Sequence, residues 1–266
     1  MVYRKLRIVL VFFLFLTVML AAIVFYYHGH IPLLRHVERR IVIVDGLSED
    51  VPNASLINRV SSLLSKFFAL SKIDGEELTV NTYREIFMEH YDIYILRVHG
   101  GVSEGGDVVA LFTSEPFNES KYVEERREGL VGVGEPFINP GKKLFVVSPD
   151  FIRRYGSGLR GSIVMVFSCY SSYRNKLAKA FIDAGAKAYI GWNGPVDTVT
   201  NDIALSKLIK YLFVENLTIA QAIRETMKDI IMLVEKQGFT YPTPLPLLTY
   251  YPPNVGDHTI WDLIRN

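Results

Sequence analysis

The stretch that most constrains the fold is a short apolar run that delivers the only cysteine of the chain to a turn. Residues 163–167 are Ile-Val-Met-Val-Phe, bounded by Gly161 and by a Ser/Tyr cluster. Such a run predicts a strand that is buried on both faces, as in the centre of a parallel sheet. A helical pattern follows at once and ends at Gly185, so Cys169 is predicted to lie on a strand-to-helix turn.

A second apolar run ends in a histidine. Residues 92–99 are Asp-Ile-Tyr-Ile-Leu-Arg-Val-His, and Gly100 and Gly101 follow. If the two strands are parallel neighbours, His99 and Cys169 leave the sheet at the same edge, where ligands of α/β proteins collect. A thiol and an imidazole on different strands are the parts of a cysteine nucleophile with its base. A buried structural cysteine and an ordinary loop histidine are the alternatives.

Apolar runs alternate with amphipathic helical patterns along the chain, which predicts an α/β fold. The predicted strands are residues 40–45, 77–83, 92–99, 143–148, 163–167 and 186–192. The predicted helices are residues 55–71 (with Ser55 as N-cap), 84–90, 149–156, 173–184, 199–213 and 218–236. Right-handed crossovers between such strands give a mostly parallel, doubly wound sheet. We therefore predict a three-layer α/β/α domain over residues 39–266, in which the proline-rich segment 240–254 is extended.

Residues 102–141 interrupt this alternation. Within them, residues 107–113 predict a strand and residues 130–138 a hairpin. A segment of this length without a clear helix predicts an insertion next to His99. It is either a lid or substrate wall, or an edge hairpin that only covers the sheet.

Residues 8–27 contain no charge and predict a transmembrane helix. At about 1.5 Å per residue, this run crosses a hydrocarbon core of roughly 30 Å. A cleaved signal peptide is the alternative, although the apolar run exceeds the usual ~7–15 residues. Residues 1–7 are then a short tail, and residues 28–38 a linker to the domain.

The predicted partner of residues 8–27 is a lipid bilayer, which makes the chain a single-pass protein of the cell membrane. Basic residues flank the segment on both sides and give no clear orientation. Asn-x-Ser/Thr sequons at Asn53, Asn118 and Asn216 are compatible with a domain outside the cytoplasm. We therefore predict an extracytoplasmic domain.

Composition argues against several other functions. The net charge is +1 without any basic run, so no nucleic-acid partner is predicted. A single cysteine forms no intrachain disulfide, and Cys/His clusters with metal-ligand spacing are missing, so no metal and no cofactor are predicted. Residues 45–50 contain no Gly-rich phosphate loop. A dependence on Ca²⁺ and the oligomeric state stay open, and the scarcity of glutamine is typical of a thermophilic source.

The motifs at the two strand ends resemble those of caspase-like cysteine peptidases. His99-Gly100 is similar to their His-Gly element, and Phe-Ser-Cys169 to their Ala/Ser-Cys element. Residues 177–186 (Leu-Ala-Lys-Ala-Phe-Ile-Asp-Ala-Gly-Ala) and 190–197 (Ile-Gly-Trp-Asn-Gly-Pro-Val-Asp) look closest to the gingipain and CHAT-type branch. The resemblance covers roughly residues 40 to 236.

The resemblance implies a Cys/His dyad that cleaves a protein or peptide substrate without an obligatory third residue. Cys169 would attack the scissile carbonyl, and His99 would take the thiol proton and then protonate the leaving amine. The backbone N–H groups of Gly100 and Cys169 would form the oxyanion hole. The function expected is a membrane-anchored cysteine endopeptidase, and the alternative is an inactive caspase-like binding or signalling module.

The substrate pocket departs from the pattern of several relatives. They have an aspartate two residues before the cysteine, which lines a pocket for Arg or Lys, and Phe167 occupies that position here. Asp45 or Asp197 would have to supply the charge, and Trp192 is the remaining candidate for the pocket wall. Trp192 fits the core better than a substrate platform, and the spacing favours Asp197 as the cap of the helix that follows it.

Overall fold

A computed structural model describes residues 16–20, 38–106, 108–237 and 245–265 of the chain. The chain divides into two units, Met1–Glu38 and Arg39–Asn266. In the first unit, residues 16–20 are helical, and the rest of the predicted span 8–27 lies outside the described residues. No helix within the described residues is long and apolar enough to cross a bilayer.

The second unit is an α/β domain. Its strands are β1 (Arg40–Asp45), β2 (Ala69–Asp74), β3 (Ile93–Arg97), β4 (Gly100–Val102), β5 (Val109–Pro116), β6 (Val131–Gly134), β7 (Leu144–Val147), β8 (Ile163–Phe167), β9 (Ala188–Trp192) and β10 (Leu248–Tyr251). Its helices are α1 (Ala54–Leu64), α2 (Val80–Met88), α3 (Val123–Arg127), α4 (Pro149–Tyr155), α5 (Lys176–Asp183), α6 (Thr198–Ile209), α7 (Ile219–Gln237) and α8 (Ile260–Arg265).

Six strands form the main sheet in the order β10-β9-β8-β3-β1-β2. All neighbouring pairs are parallel except β9 and β10. Ile41 and Ile43 of β1 face the core layer that contains α1, α6, α7 and α8. Val42 and Val44 face the opposite layer, which contains α2, α4 and α5. The mostly parallel sheet with buried apolar strands confirms the predicted α/β class.

The insertion and the strand after it form a second, antiparallel sheet in the order β4-β5-β7-β6. The apolar side chains Val109, Leu130 and Val147 join the core layer of α2, α4 and α5. The hairpin is larger than the predicted residues 130–138, because β6 pairs with β7 across residues 135–143. We call residues 135–143 the β6–β7 loop.

Three local predictions were wrong. Asn53, not Ser55, caps α1, since its Oδ1 accepts a hydrogen bond from the Leu56 N–H at 3.1 Å. The chain then forms edge strand β2 where helix was predicted, and helix α2 where strand 77–83 was predicted. Thr79 and Thr82 form a reciprocal capping box, which satisfies N–H groups at the start of α2 and favours a helix there.

Candidate active site

The strands that carry the two candidate catalytic residues are direct neighbours. β3 and β8 are parallel, and Arg97 lies opposite Phe167 in the register. His99 and Cys169 each follow two residues after that pair. The prediction that both residues leave the sheet at the same carboxyl edge is therefore confirmed.

The two turns touch at Gly100. A Cβ atom at this position would overlap the Ser168 Oγ and lie 2.6 Å from the Cys169 carbonyl oxygen. Only a residue without a side chain fits between the turns at this separation. The glycine after His99 is thus required by the close approach of the turn that carries Cys169.

The Cys169 thiol is partly buried and contacts the backbone of one residue. It donates a hydrogen bond to the Val196 carbonyl at 3.3 Å, and the Val196 N–H lies 3.4 Å from the sulfur. Burial raises the pKa of the Cys169 thiol, the Val196 N–H lowers it, and the charge of Asp197 raises it. No hydrogen bond joins the thiol to His99 in the part of the chain that the structure describes. In this conformation the thiol is protonated at neutral pH.

The turn that follows Cys169 is strained and firmly held. Tyr170 has a φ of 58°, a left-handed conformation that bulky residues rarely adopt. Its N–H donates to the Gly194 carbonyl at 2.9 Å. The Ser171 Oγ donates to the Val166 carbonyl at 3.0 Å and accepts from the Trp192 N–H at 2.9 Å. Strain of this kind persists only where surrounding contacts determine the backbone, as at many functional sites.

The His99 imidazole lies against an acidic residue that the sequence analysis did not identify. Its Nε2 is 3.2 Å from the Asp50 Oδ2, and its ring packs edge-on against Phe112. Because a carboxylate only accepts hydrogen bonds, Nε2 carries the proton and Nδ1 is the free acceptor. Burial lowers the pKa of His99; Asp50 opposes this shift, while the charges of Lys142 and Arg97 reinforce it. The imidazole is therefore neutral at pH 7 and competent to act as a base.

Asp50 is itself held in place from the β6–β7 loop. The Asn139 Nδ2 donates to the Asp50 Oδ1 at 2.6 Å, and the Lys142 Nζ lies 3.7 Å from the same oxygen. Asp50 belongs to the turn after β1, and 49 residues separate it from His99 in the chain. The one available signal was that this turn also follows a strand and so reaches the same sheet edge.

Asp45 was predicted as a pocket residue, and the structure places it in a buried ion network instead. The Arg97 Nη1 lies 2.6 Å from the Asp45 Oδ1, and the Arg97 Nε lies 2.6 Å from the Asp202 Oδ1. The Arg97 Nη2 also donates to the Val51 carbonyl at 2.9 Å. Burial raises the pKa of Asp45, and Arg97 opposes that shift. Arg97 thus fixes the turn that carries Asp50.

The other predicted pocket residues form no open pocket. Phe167 and Trp192 are fully buried, because both point from their strands into the core layer of α1 and α6. The indole N–H of Trp192 donates to the Asn201 Oδ1 at 2.8 Å. Asp197 caps α6 by accepting from the Thr200 N–H at 2.9 Å, which confirms the role that its spacing favoured. Of the four predicted pocket residues, only Asp197 affects the pKa of the Cys169 thiol.

The backbone N–H groups of Gly100 and Cys169, the two predicted oxyanion donors, differ from their neighbours in their hydrogen bonds. The Phe112 N–H donates to the His99 carbonyl, which makes residues 99 and 112 a hydrogen-bonded antiparallel pair. Gly100 and Leu111 are the next pair in the register, so the Gly100 N–H points away from β5. Within the described residues, the Cys169 N–H makes no hydrogen bond to another residue.

Comparison with protein-family models and with curated proteins finds no match to this chain. Among the described residues, no group of three or more His, Cys, Asp or Glu side chains is placed to hold a metal ion.

Proposed function

We propose that this chain is a caspase-like cysteine endopeptidase, with residues 8–27 as its membrane anchor. The observation that carries the proposal is the convergence of His99 and Cys169 at one sheet edge, with Asp50 in contact with the Nε2 atom of the imidazole. A nucleophile, a base and a carboxylate that orients the base come together from three separate segments. This is the arrangement that nucleophilic acyl transfer uses.

The reaction follows from these groups. His99 Nδ1 takes the proton of the Cys169 thiol, and the sulfur forms a bond to the scissile carbonyl carbon. The N–H groups of Gly100 and Cys169 hold the resulting oxyanion. The imidazolium, stabilised by Asp50, gives its proton to the amine as the C–N bond breaks. Water, deprotonated by His99, then attacks the acyl carbon, and the C–S bond breaks with return of the proton to sulfur.

The thiol has to leave Val196 before this reaction begins. Its hydrogen bond to the Val196 carbonyl holds the proton on sulfur, and burial disfavours the thiolate. Rotation of the Cys169 side chain towards Nδ1 would remove both restraints at once. The described conformation is accordingly a resting state of the proposed enzyme.

The state of the thiol in the described conformation supports a second candidate, an inactive caspase-like binding module. A protonated thiol with a raised pKa and no hydrogen bond to His99 is poorly nucleophilic. If the Cys169 side chain never turns towards the imidazole, the two residues keep their places at the sheet edge, but the thiol does not attack a substrate.

Thiol labelling distinguishes the two candidates, because Cys169 is the only cysteine of the chain. We would measure the alkylation rate of the full chain by iodoacetamide from pH 5 to 9, in the wild type and in His99→Ala. His258→Ala, at an exposed position whose backbone bonds to the start of α7, is the matched control. The peptidase proposal expects labelling well below pH 8.5 that His99→Ala alone removes, and cleavage of a denatured protein substrate that Cys169→Ala abolishes. An ordinary thiol profile in all three proteins, without cleavage, favours the binding module.

A further inference from the structure

The β6–β7 loop carries the most exposed large apolar side chain of the described residues. The side chain of Phe137 is 98% exposed, and its neighbour Ile138 is 45% exposed. Phenylalanine is usually buried, and an aromatic ring held in water next to a candidate active site requires a reason.

The loop is anchored beside the candidate base at two points. At its beginning, Gly134 packs so closely on Phe112 that a Cβ would lie 2.6 Å from the ring, and Phe112 packs on His99. In its middle, Asn139 donates to Asp50, which contacts the His99 imidazole. Two separate routes thus connect the loop to the imidazole, one on each side of Phe137.

Hydrogen bonds within the loop hold its shape. The Asn139 N–H donates to the Pro136 carbonyl at 3.0 Å, and the Lys142 N–H donates to the Asn139 carbonyl at 3.1 Å. Phe137 lies at the tip of this turn, two residues before Asn139 and so within about 7 Å of it along the chain. The ring is displayed by an ordered turn near the site.

We infer that Phe137 forms a wall of the substrate cleft and packs against an apolar side chain of the bound peptide close to the scissile bond. This inference rests on the proposed function and specifies its substrate class, which is peptides with an aliphatic residue at that position. A peptide bound at His99 lies beside the loop, because Asp50 and Phe112 contact both the imidazole and the loop. We favour a peptide over a bilayer as the partner, because the loop that displays Phe137 is hydrogen-bonded to the partner of the candidate base.

Peptide binding to the full chain with Cys169→Ala tests the inference without any need for turnover. The probes are two dye-labelled pools of decapeptides, with either leucine or serine fixed at the central position, and the readout is fluorescence anisotropy. We expect Phe137→Ser to weaken binding of the leucine pool about tenfold, since an apolar contact is lost. Binding of the serine pool should not change, and Phe137→Leu should restore most of the affinity. Met88→Ser, at a 56% exposed position on α2, is the matched control.

The outcomes separate this inference from the proposed function. Equal affinity of Phe137→Ser and the parent for the leucine pool overturns the inference, as does an equal loss for both pools or no binding of either. Binding to phosphatidylcholine vesicles that depends on Phe137, with peptide binding unchanged, also overturns it in favour of a lipid contact. Phe137-dependent binding of the leucine pool supports it even if the chain with Cys169 cleaves nothing, a result that removes the peptidase proposal alone.

Discussion

Two contacts between a carboxylate and a basic side chain lie side by side at the end of β3, and they differ in burial. The Arg97 side chain is fully buried with Asp45, whereas the side chains of His99 and Asp50 are 18% and 13% exposed. Both contacts join the end of β3 to the end of β1 or to the turn that follows β1. The buried contact fixes the backbone of that segment, and the partly exposed contact leaves the imidazole accessible to a substrate.

The difference in burial follows from the positions of Arg97 and His99 along the chain. Arg97 is the last residue of β3 and points into the sheet interior, where its donors have to be satisfied by Asp45, Asp202 and the Val51 carbonyl. His99 lies two residues further, beyond the regular strand, where the chain turns into the second sheet. A catalytic base requires a backbone that is held in place and a side chain that a substrate can reach.

The largest effect is expected from removing the buried charge of Arg97. Arg97→Met leaves Asp45 and Asp202 buried without their partner, and we expect a loss of about 3–5 kcal/mol in the free energy of unfolding. Urea denaturation of the variant measures this loss. Arg153→Met, which removes surface ion pairs with Asp150 and Asp183, is the control and should cost less than about 1 kcal/mol. Similar losses in both variants would show that the buried network is no more important than a surface pair.

Removing the partly exposed carboxylate should act on chemistry and hardly on stability. Asp50→Asn removes a charge that raises the pKa of His99, so that pKa falls further in the variant, as NMR titration of the imidazole would show. The proposed proteolytic activity should fall by about 100-fold, the lower end of what the base itself contributes, because Asp50 acts only by stabilising His99. The loss of stability should stay below about 1 kcal/mol.

Glu49→Gln is the matched control for this experiment. It neutralises the adjacent carboxylate, whose nearest cation is the Lys142 Nζ at 3.9 Å. An unchanged His99 pKa in Asp50→Asn, or equal changes in both variants, would contradict a specific role of Asp50.

The smallest expected effect is the pH dependence of stability that His99 contributes. Burial lowers its pKa in the folded chain below the value of about 6.5 in the unfolded chain. Between these two pKa values the unfolded state binds more protons, so stability is present above pH 6.5 and is lost as the pH falls through this window. Urea titrations should show that His99→Gln reduces the loss and that His258→Gln does not. A loss that both variants retain in full would assign it to other groups.

The sequence predicted the central strands well and the edge of the sheet poorly. Strands β1, β3, β8 and β9 are buried, and their apolar runs are unmistakable. β2 is a partly exposed edge strand with the sequence Ala-Leu-Ser-Lys-Ile-Asp, so its pattern resembles the end of a helix. The proline-rich tail was predicted to be extended, and its pairing with β9 as β10 depends on contacts that no local pattern encodes.

Local chemistry alone determined the central strands and that His99 and Cys169 follow two of them, because propensity and apolar period act over a few residues. Only the tertiary structure decided their surroundings. It placed Asp50 on the imidazole from 49 residues away, Val196 on the thiol from 27 residues away, and Asp45 in the interior with Arg97. Hydrogen bonds and ion pairs between distant segments depend on how the sheet is assembled, and no periodicity along the chain specifies them.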